Sequence, residues 1–252
     1  MAKNQLFYES AVPISVSRHR DLAIESAKYG FAAGVNAVPV TCVEFPRAAR
    51  EYTIVFAGDK EVVPVALLGT SNEENLYVTD RGEWSADYVP AFVRRYPFVF
   101  WMSEDKTKLT LCVDETWVGC NREGRGQRLF DDQGERTTYL TQMLAFLEEY
   151  QAHFARTQAY CRKLLELGLL EPMKADWTLP GGEKRSMTGF QVVNRVKLKA
   201  LPPEKLAELV QTDELELTYD HLLSMQNFSR IVKRAARPET SSVEAPTAGE
   251  SS

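Results

Sequence analysis

The stretch from Tyr88 to Glu115, YVPAFVRRYPFVFWMSEDKTKLTLCVDE, limits the fold more than any other part of the chain. Two apolar runs, Phe98–Met102 and Leu109–Val113, flank a charged connection at Ser103–Lys108 and read as paired strands. Short strands this close together indicate an antiparallel or mixed sheet rather than a doubly wound parallel one. Ahead of them Tyr88, Phe92 and Tyr96 recur four apart, which predicts a short amphipathic helix over Tyr88–Tyr96.

A second constraint follows. Leu140, Met143, Leu144, Leu147, Tyr150, Phe154, Cys161, Leu164 and Leu165 fall close to a helical period, predicting one long helix from Thr138 to Leu167. Gly168 supplies its stop, with Leu169-Leu170 folding back ahead of Pro172.

The rest reads as shorter pieces. Leu6-Phe7-Tyr8 suggests a strand, and Ile14–Ile24 an extended edge segment. Gly30 and Gly34, set among aromatic and small residues, suggest tight bends and close packing. Glu44–Arg50 reads as a helix with Pro46 in its first turn. Tyr52–Ala57, Val62–Leu68 and Leu76–Val78 read as strands, the first two joined through Gly58-Asp59-Lys60, with Pro64 marking an edge or a bulge. Asp176–Leu201 resembles a hairpin turning at Pro180-Gly181-Gly182. Pro202-Pro203 opens a helix to about Gln211, and Thr212–Arg237 reads as helical, although Leu215, Leu217 and Tyr219 alternate as in a strand. The expected architecture is a single α+β domain over residues 1–237, an antiparallel or mixed β-sheet packed against one long helix, with a C-terminal helical segment. Residues 238–252, rich in Pro, Ser and Glu, form a polar tail expected to be disordered.

Composition narrows function by exclusion. A chain of 252 residues, 44% hydrophobic and 26% charged, is ordinary for a soluble globular protein. A net charge of −5 argues against a general nucleic-acid binder. There is no apolar signal region and no run long enough to span a bilayer, so the cytoplasm is the default compartment; a signal-independent export route leaves no such mark. Cys42, Cys112, Cys120 and Cys161 are scattered without a CxxC and read as reduced thiols, with a Cys112–Cys120 disulfide the leading exception in an exported protein.

Chemistry is sparse. His19, His153 and His221 leave little for a metal site or a triad, and no GxSxG, GxGxxG or P-loop pattern occurs. No catalytic residue, metal or cofactor is expected. Asp114-Glu115 ends a strand, where neighbours face opposite ways, so the pair suits turn capping rather than a shared-proton dyad. Ser224 and His221 sit one turn apart without an acid partner. Arg122, Arg125 and Arg128 read as a solvated loop rather than an anion grip. Arg94-Arg95 beside Tyr96 suits an ion-pair network with Asp131-Asp132 or a clamp for a peptide carboxylate. Aromatic and arginine enrichment at interfaces points to a contact site of Phe92, Arg94, Arg95, Tyr96 and Trp101, with Asp114 nearby. The competing reading is that these residues pack the core.

Several blocks together, YVPAFVRRYPFVF, LCVDE, RLFDDQGERT, FARTQAYCRKLLELGLLEPM, GFQVVNRVKLKAL and LTYDHLLSMQNFSRIVKR, resemble the SapC family of bacterial proteins in order and spacing. One departure is Asp213-Glu214, where the resemblance implies a glycine-containing turn. The family is associated with bacterial surface-layer proteins, and related genes accompany outer-membrane receptors and iron-dependent hydroxylases or tryptophan halogenases. The resemblance therefore implies an accessory or binding protein of envelope biology with a protein or peptide partner, and transfers no active-site residues. The alternative it implies is an enzyme, or an enzyme's partner, acting on a peptide or amino acid beside an iron-dependent hydroxylase. That alternative predicts a deep pocket in which Asp114, Glu115 and an arginine converge.

Overall fold

The computed structural model describes residues 6–25, 28–102, 109–179 and 181–236. The expected turn at Ser103–Lys108, Pro180 of the Pro180-Gly181-Gly182 turn, and the tail from Pro238 lie outside them. Ile54–Ala57 and Val63–Leu67 pair antiparallel with Val55 opposite Val65, turning at Gly58. That glycine has φ +98, and a Cβ there would lie 2.2 Å from the Glu61 carbonyl oxygen, so the turn requires it. Ala37–Pro39 adds beyond Val63–Leu67, and the hairpin Leu170–Thr178/Lys184–Val193 adds beyond Ile54–Ala57, giving a five-stranded antiparallel sheet.

Pro64 therefore sits in an inner strand, not at an edge. The N and C=O of one strand residue point the same way, and those of Pro64 face Val40, just past the end of Ala37–Pro39. Its carbonyl accepts from the Val40 N–H at 3.0 Å, and its missing N–H breaks no ladder bond toward Phe56. The outer edge of the sheet, Leu170–Thr178, carries Pro172, an exposed Lys174 and a register shift between Met173 and Ala175.

Phe98–Met102 and Leu109–Asp114 pair as expected, Phe100 opposite Leu111, and Ala11–Pro13 completes a three-stranded antiparallel sheet. Ala23–Ile24 holds together a small third sheet with Cys120–Asn121 and Gln127–Arg128.

The long helix spans Thr138–Glu166, 29 residues. Thr137 caps its start by accepting the Leu140 N–H, and Gly168, at φ +62, turns the chain so that the Leu169 N–H returns to the Leu164 carbonyl at 3.0 Å. Leu140 and Leu147 pack with Phe98, Val113 and Leu129, whereas Tyr160, Cys161 and Leu164 pack with Phe45, Ile54 and Phe56. One helix thus serves both cores, each fully buried large side chain contributing about 1.5–3 kcal/mol. Helices Pro203–Gln211, Glu214–Ser224 and Phe228–Ala235 close the chain, so Leu215–Tyr219 is helical despite its alternation. The architecture is α+β.

Five local expectations change. Leu6–Tyr8 is a turn, since Phe7 and Tyr8 are both buried and a strand would expose one of them. Within Ile14–Ile24 only Ala23–Ile24 is strand; Val16–His19 forms one helical turn, with the Ser15 N–H donating to His19 Nδ1 at 3.1 Å. Leu76–Val78 keeps one bridge, Val78 to Trp84. The Tyr88–Tyr96 helix shrinks to Ala91–Arg94, because Pro90 holds the preceding residue extended and Pro97 stops the turn. Asp176–Leu201 ends as a hairpin at Val193, where Asn194 caps a short helix at Arg195–Lys199. Among the described residues, no helix is long and apolar enough to cross a membrane.

Asp213 takes φ +60 between two helices, at the place where a glycine-containing turn was expected. Replacing Asp213 with glycine is expected to stabilise the fold by about 0.5–1 kcal/mol through relief of left-handed strain. Urea unfolding midpoints at an unchanged slope would measure it.

Candidate cleft and family membership

Aromatic side chains from four separate segments meet in one cluster. Phe31 stacks on Tyr96 with centroids 4.3 Å apart, and Trp117 packs edge-on against both, at 6.3 and 5.5 Å. Phe7 reaches Phe31, Phe92 and Tyr96 at 5.1, 5.4 and 5.5 Å. Edge-to-face pairs at these distances add about 0.5–1.5 kcal/mol each beyond burial.

This wall separates two depressions. The larger, about 700 Å³, lies over Phe7, Tyr8, Phe31, Tyr96 and Trp117 and is rimmed by Glu9, Lys28, Asp80 and Arg81. The smaller, about 260 Å³, is bounded by Arg94, Tyr139, Met143 and Glu25 on the far side of the same three rings. Trp117 keeps its pose because Gly119 lies under it; a Cβ there would fall 2.6 Å from the indole ring. Lys28 reaches Glu83 at 3.5 Å. The Glu9 and Asp80 carboxylates and the Arg81 guanidinium make no ion pair and no side-chain hydrogen bond among the described residues.

Beneath the floor, burial pushes the Tyr8 hydroxyl up to about 12, against the opposing pull of Arg95, while its O–H donates to the Phe98 carbonyl at 2.7 Å. Burial, with Asp114 adding to it, also raises Tyr96. Both phenols stay neutral donors across the physiological range.

The structure distributes the six expected contact residues unevenly. Tyr96 lines both depressions and Arg94 lines the smaller. Arg94 lies over the Phe146 ring at 5.1 Å, and its Nε donates to the Val89 carbonyl. Phe92 and Arg95 are buried below, with the guanidinium 4.0 Å from the Phe92 centroid and 5.0 Å from that of Tyr150. Asp114 is fully buried and caps, accepting from the Glu9 N–H at 2.7 Å, the Thr116 N–H at 3.1 Å and the Thr116 hydroxyl at 2.6 Å. Trp101 is 53% exposed on the opposite sheet face from Phe98 and Phe100, roughly 10 Å along the strand from Phe98, and belongs to neither depression.

Asp114 and Glu115 diverge. Glu115 turns outward to Arg18 and Arg122, and its Oε1 lies 3.0 Å from His19 Nε2, outside hydrogen-bond alignment. The Arg18 hydrogen bond holds the Glu115 carboxyl below its ordinary value, while burial lowers His19 despite that carboxylate. Neither His19 nor Glu115 lines the cleft. The network expected between Arg94-Arg95 and Asp131-Asp132 does not form: Asp131 accepts from the N–H groups of Gln133 and Glu135, and Asp132 pairs with Arg128 at 2.8 Å. Arg125 pairs with Glu25 at 3.1 Å, so the arginine loop is spent on ion pairs. The four cysteines are free thiols. Among the described residues, no three His, Cys, Asp or Glu side chains gather as a metal site.

The sequence reading missed Phe7, Phe31 and Trp117, which lie far from one another along the chain. Gly30 and Gly34 are not closely packed either; each lines the cleft with nothing within 4 Å of a built Cβ. No curated protein and no solved structure is significantly similar to the chain. The SapC family model matches residues 14–231, most of the described structure, and the chain belongs to the SapC family.

Proposed function

We propose that this SapC-family chain is a binding protein that holds a short peptide segment of a protein partner in the aromatic cleft. The observation that carries this reading is the set of uncommitted charges of both signs, Glu9, Asp80 and Arg81, around a floor of aromatic rings. Aromatic surface accepts an apolar or aromatic side chain, and a rim of mixed sign matches the dipolar and charged groups of a peptide. The volume falls within the few hundred to a thousand Å³ usual for ligand sites. The surface-layer association implied by the family makes an envelope protein the natural source of the segment. The enzyme reading required Asp114, Glu115 and an arginine to converge in a pocket, and their divergence speaks against it.

The test is selection of displayed random dodecapeptides on the full chain, followed by calorimetry with the synthesised winners. Trp117→Ala is expected to weaken binding about 30-fold, the 2 kcal/mol typical of an aromatic anchor. Gly119→Ala, which displaces the same ring, should act in the same direction. Failure to enrich any sequence, or binding indifferent to both substitutions, would overturn the reading.

A further inference from the structure

Two glycines of the cleft have no conformational or packing reason to be glycine. Elsewhere the reason is visible: Gly58, Gly82 and Gly126 have positive φ, a Cβ at Gly69 would lie 2.0 Å from the Glu74 carbonyl oxygen, and Gly119 supports Trp117. Gly30 and Gly34 have ordinary φ, and a Cβ on either meets no atom within 4 Å. Among the described residues only Gly181, in a hairpin turn, shares both properties. Gly30 lies in the short helical turn Tyr29–Ala32, where glycine is less stable than alanine, so the sequence accepts a cost there. What a side chain at either position would occupy is the interior of the cleft.

The main chain adds an independent observation. Neither the N–H nor the C=O of Gly34 makes a hydrogen bond among the described residues. Gly34 is an exposed turn residue, and its free donor and acceptor beside an aromatic wall can pair with the main chain of an extended polypeptide. We infer that the cleft recognises an extended peptide whose backbone lies flat over Gly30 and Gly34 and pairs with the amide groups of Gly34, its side chains directed at Phe31, Tyr96 and Trp117. This inference rests on the peptide-binding reading above and adds how the peptide is held. Close approach of two main chains accounts for the bare backbone at both positions, as a compact ligand seated on the rings would not.

The experiment uses the full chain, its Gly30→Leu and Gly34→Leu variants, and Gly34→Ala as the mildest change. Since each new side chain enters open space, Tm is expected to stay at or above that of the parent. Displayed dodecapeptides selected on the parent, once synthesised, are expected to bind both leucine variants at least about ten-fold more weakly. A single N-methylated amide walked along such a peptide should abolish binding at one or two positions. Leucine variants with intact Tm and parental affinity, or a peptide insensitive to N-methylation, would overturn this inference and leave the cleft reading standing. Absence of any enriched peptide on the parent would overturn both.

Discussion

Glu44→Ala is expected to lower folding stability by about 3–6 kcal/mol. The Glu44 side chain is 4% exposed and accepts four hydrogen bonds. One oxygen takes the Thr41 N–H at 2.7 Å and the Thr41 hydroxyl at 2.9 Å, forming a capping box. The other takes the Tyr88 hydroxyl at 2.8 Å and the Ala91 N–H at 2.7 Å, at the start of the Ala91–Arg94 turn. Alanine leaves two buried backbone donors without partners, each costing about 1–3 kcal/mol, and removes the cap as well. Glu44→Gln should lose about half as much, because its amide nitrogen cannot accept on one of the two sides. Against a total stability of about 5–15 kcal/mol, the alanine variant should lose much of its denaturant resistance. A midpoint within error of the parent would refute the assignment.

His221→Leu is expected to cost about 2–5 kcal/mol at neutral pH and to flatten the acid limb of the stability profile. The ring is fully buried between the last helices and the five-stranded sheet. Its Nδ1 donates to the Ile54 carbonyl at 2.9 Å, and Nε2 accepts from the Val193 N–H at 3.0 Å, an arrangement that holds the neutral tautomer. Ser224 completes the junction, accepting from the Ile54 N–H at 3.0 Å. Burial lowers the imidazole to about 4. Between that value and its unfolded value of about 6.5 the unfolded chain binds the proton and the folded chain does not, so stability is complete above pH 6.5 and declines as pH falls toward 4. The loss amounts to about 3 kcal/mol at 1.36 kcal/mol per pH step. Chemical denaturation of parent and variant between pH 7 and pH 4.5 separates this contribution from that of the carboxylates. Parallel profiles would show that His221 is not its source.

The elements legible in the sequence are those whose signal is local. The stripe from Leu140 to Leu165 repeats every turn, and the pair Phe98–Met102 and Leu109–Asp114 is close in sequence, so period and spacing suffice. The divergence of Asp114 from Glu115 follows from the same geometry. The cleft was only partly legible because its wall is assembled from Phe7, Phe31, Tyr96 and Trp117, which no window of the chain contains together. Tyr96 was singled out for its aromatic neighbourhood, and Trp101 for the same reason; strand pleat then sent Trp101 to the opposite face from Phe100. Gly30 and Gly34 were visible but misread, since glycine that permits contact and glycine that preserves a void look identical in a sequence. At Leu215–Tyr219 the alternation also suited a strand, and the helical reading holds, with Leu217 and His221 buried beside the sheet and Thr218 meeting Tyr160 of the long helix at 2.9 Å.

Pro172, with the slipped register beside it and the ammonium of Lys174 standing outside, makes the Leu170–Thr178 edge a poor template for pairing with another chain. Fibril growth and strand exchange both need a straight rim of free amides to act as a template, and this rim is bent, interrupted and charged. Crowding many copies together therefore offers no backbone seam along Leu170–Thr178, and at that edge encounters between molecules are left to side chains.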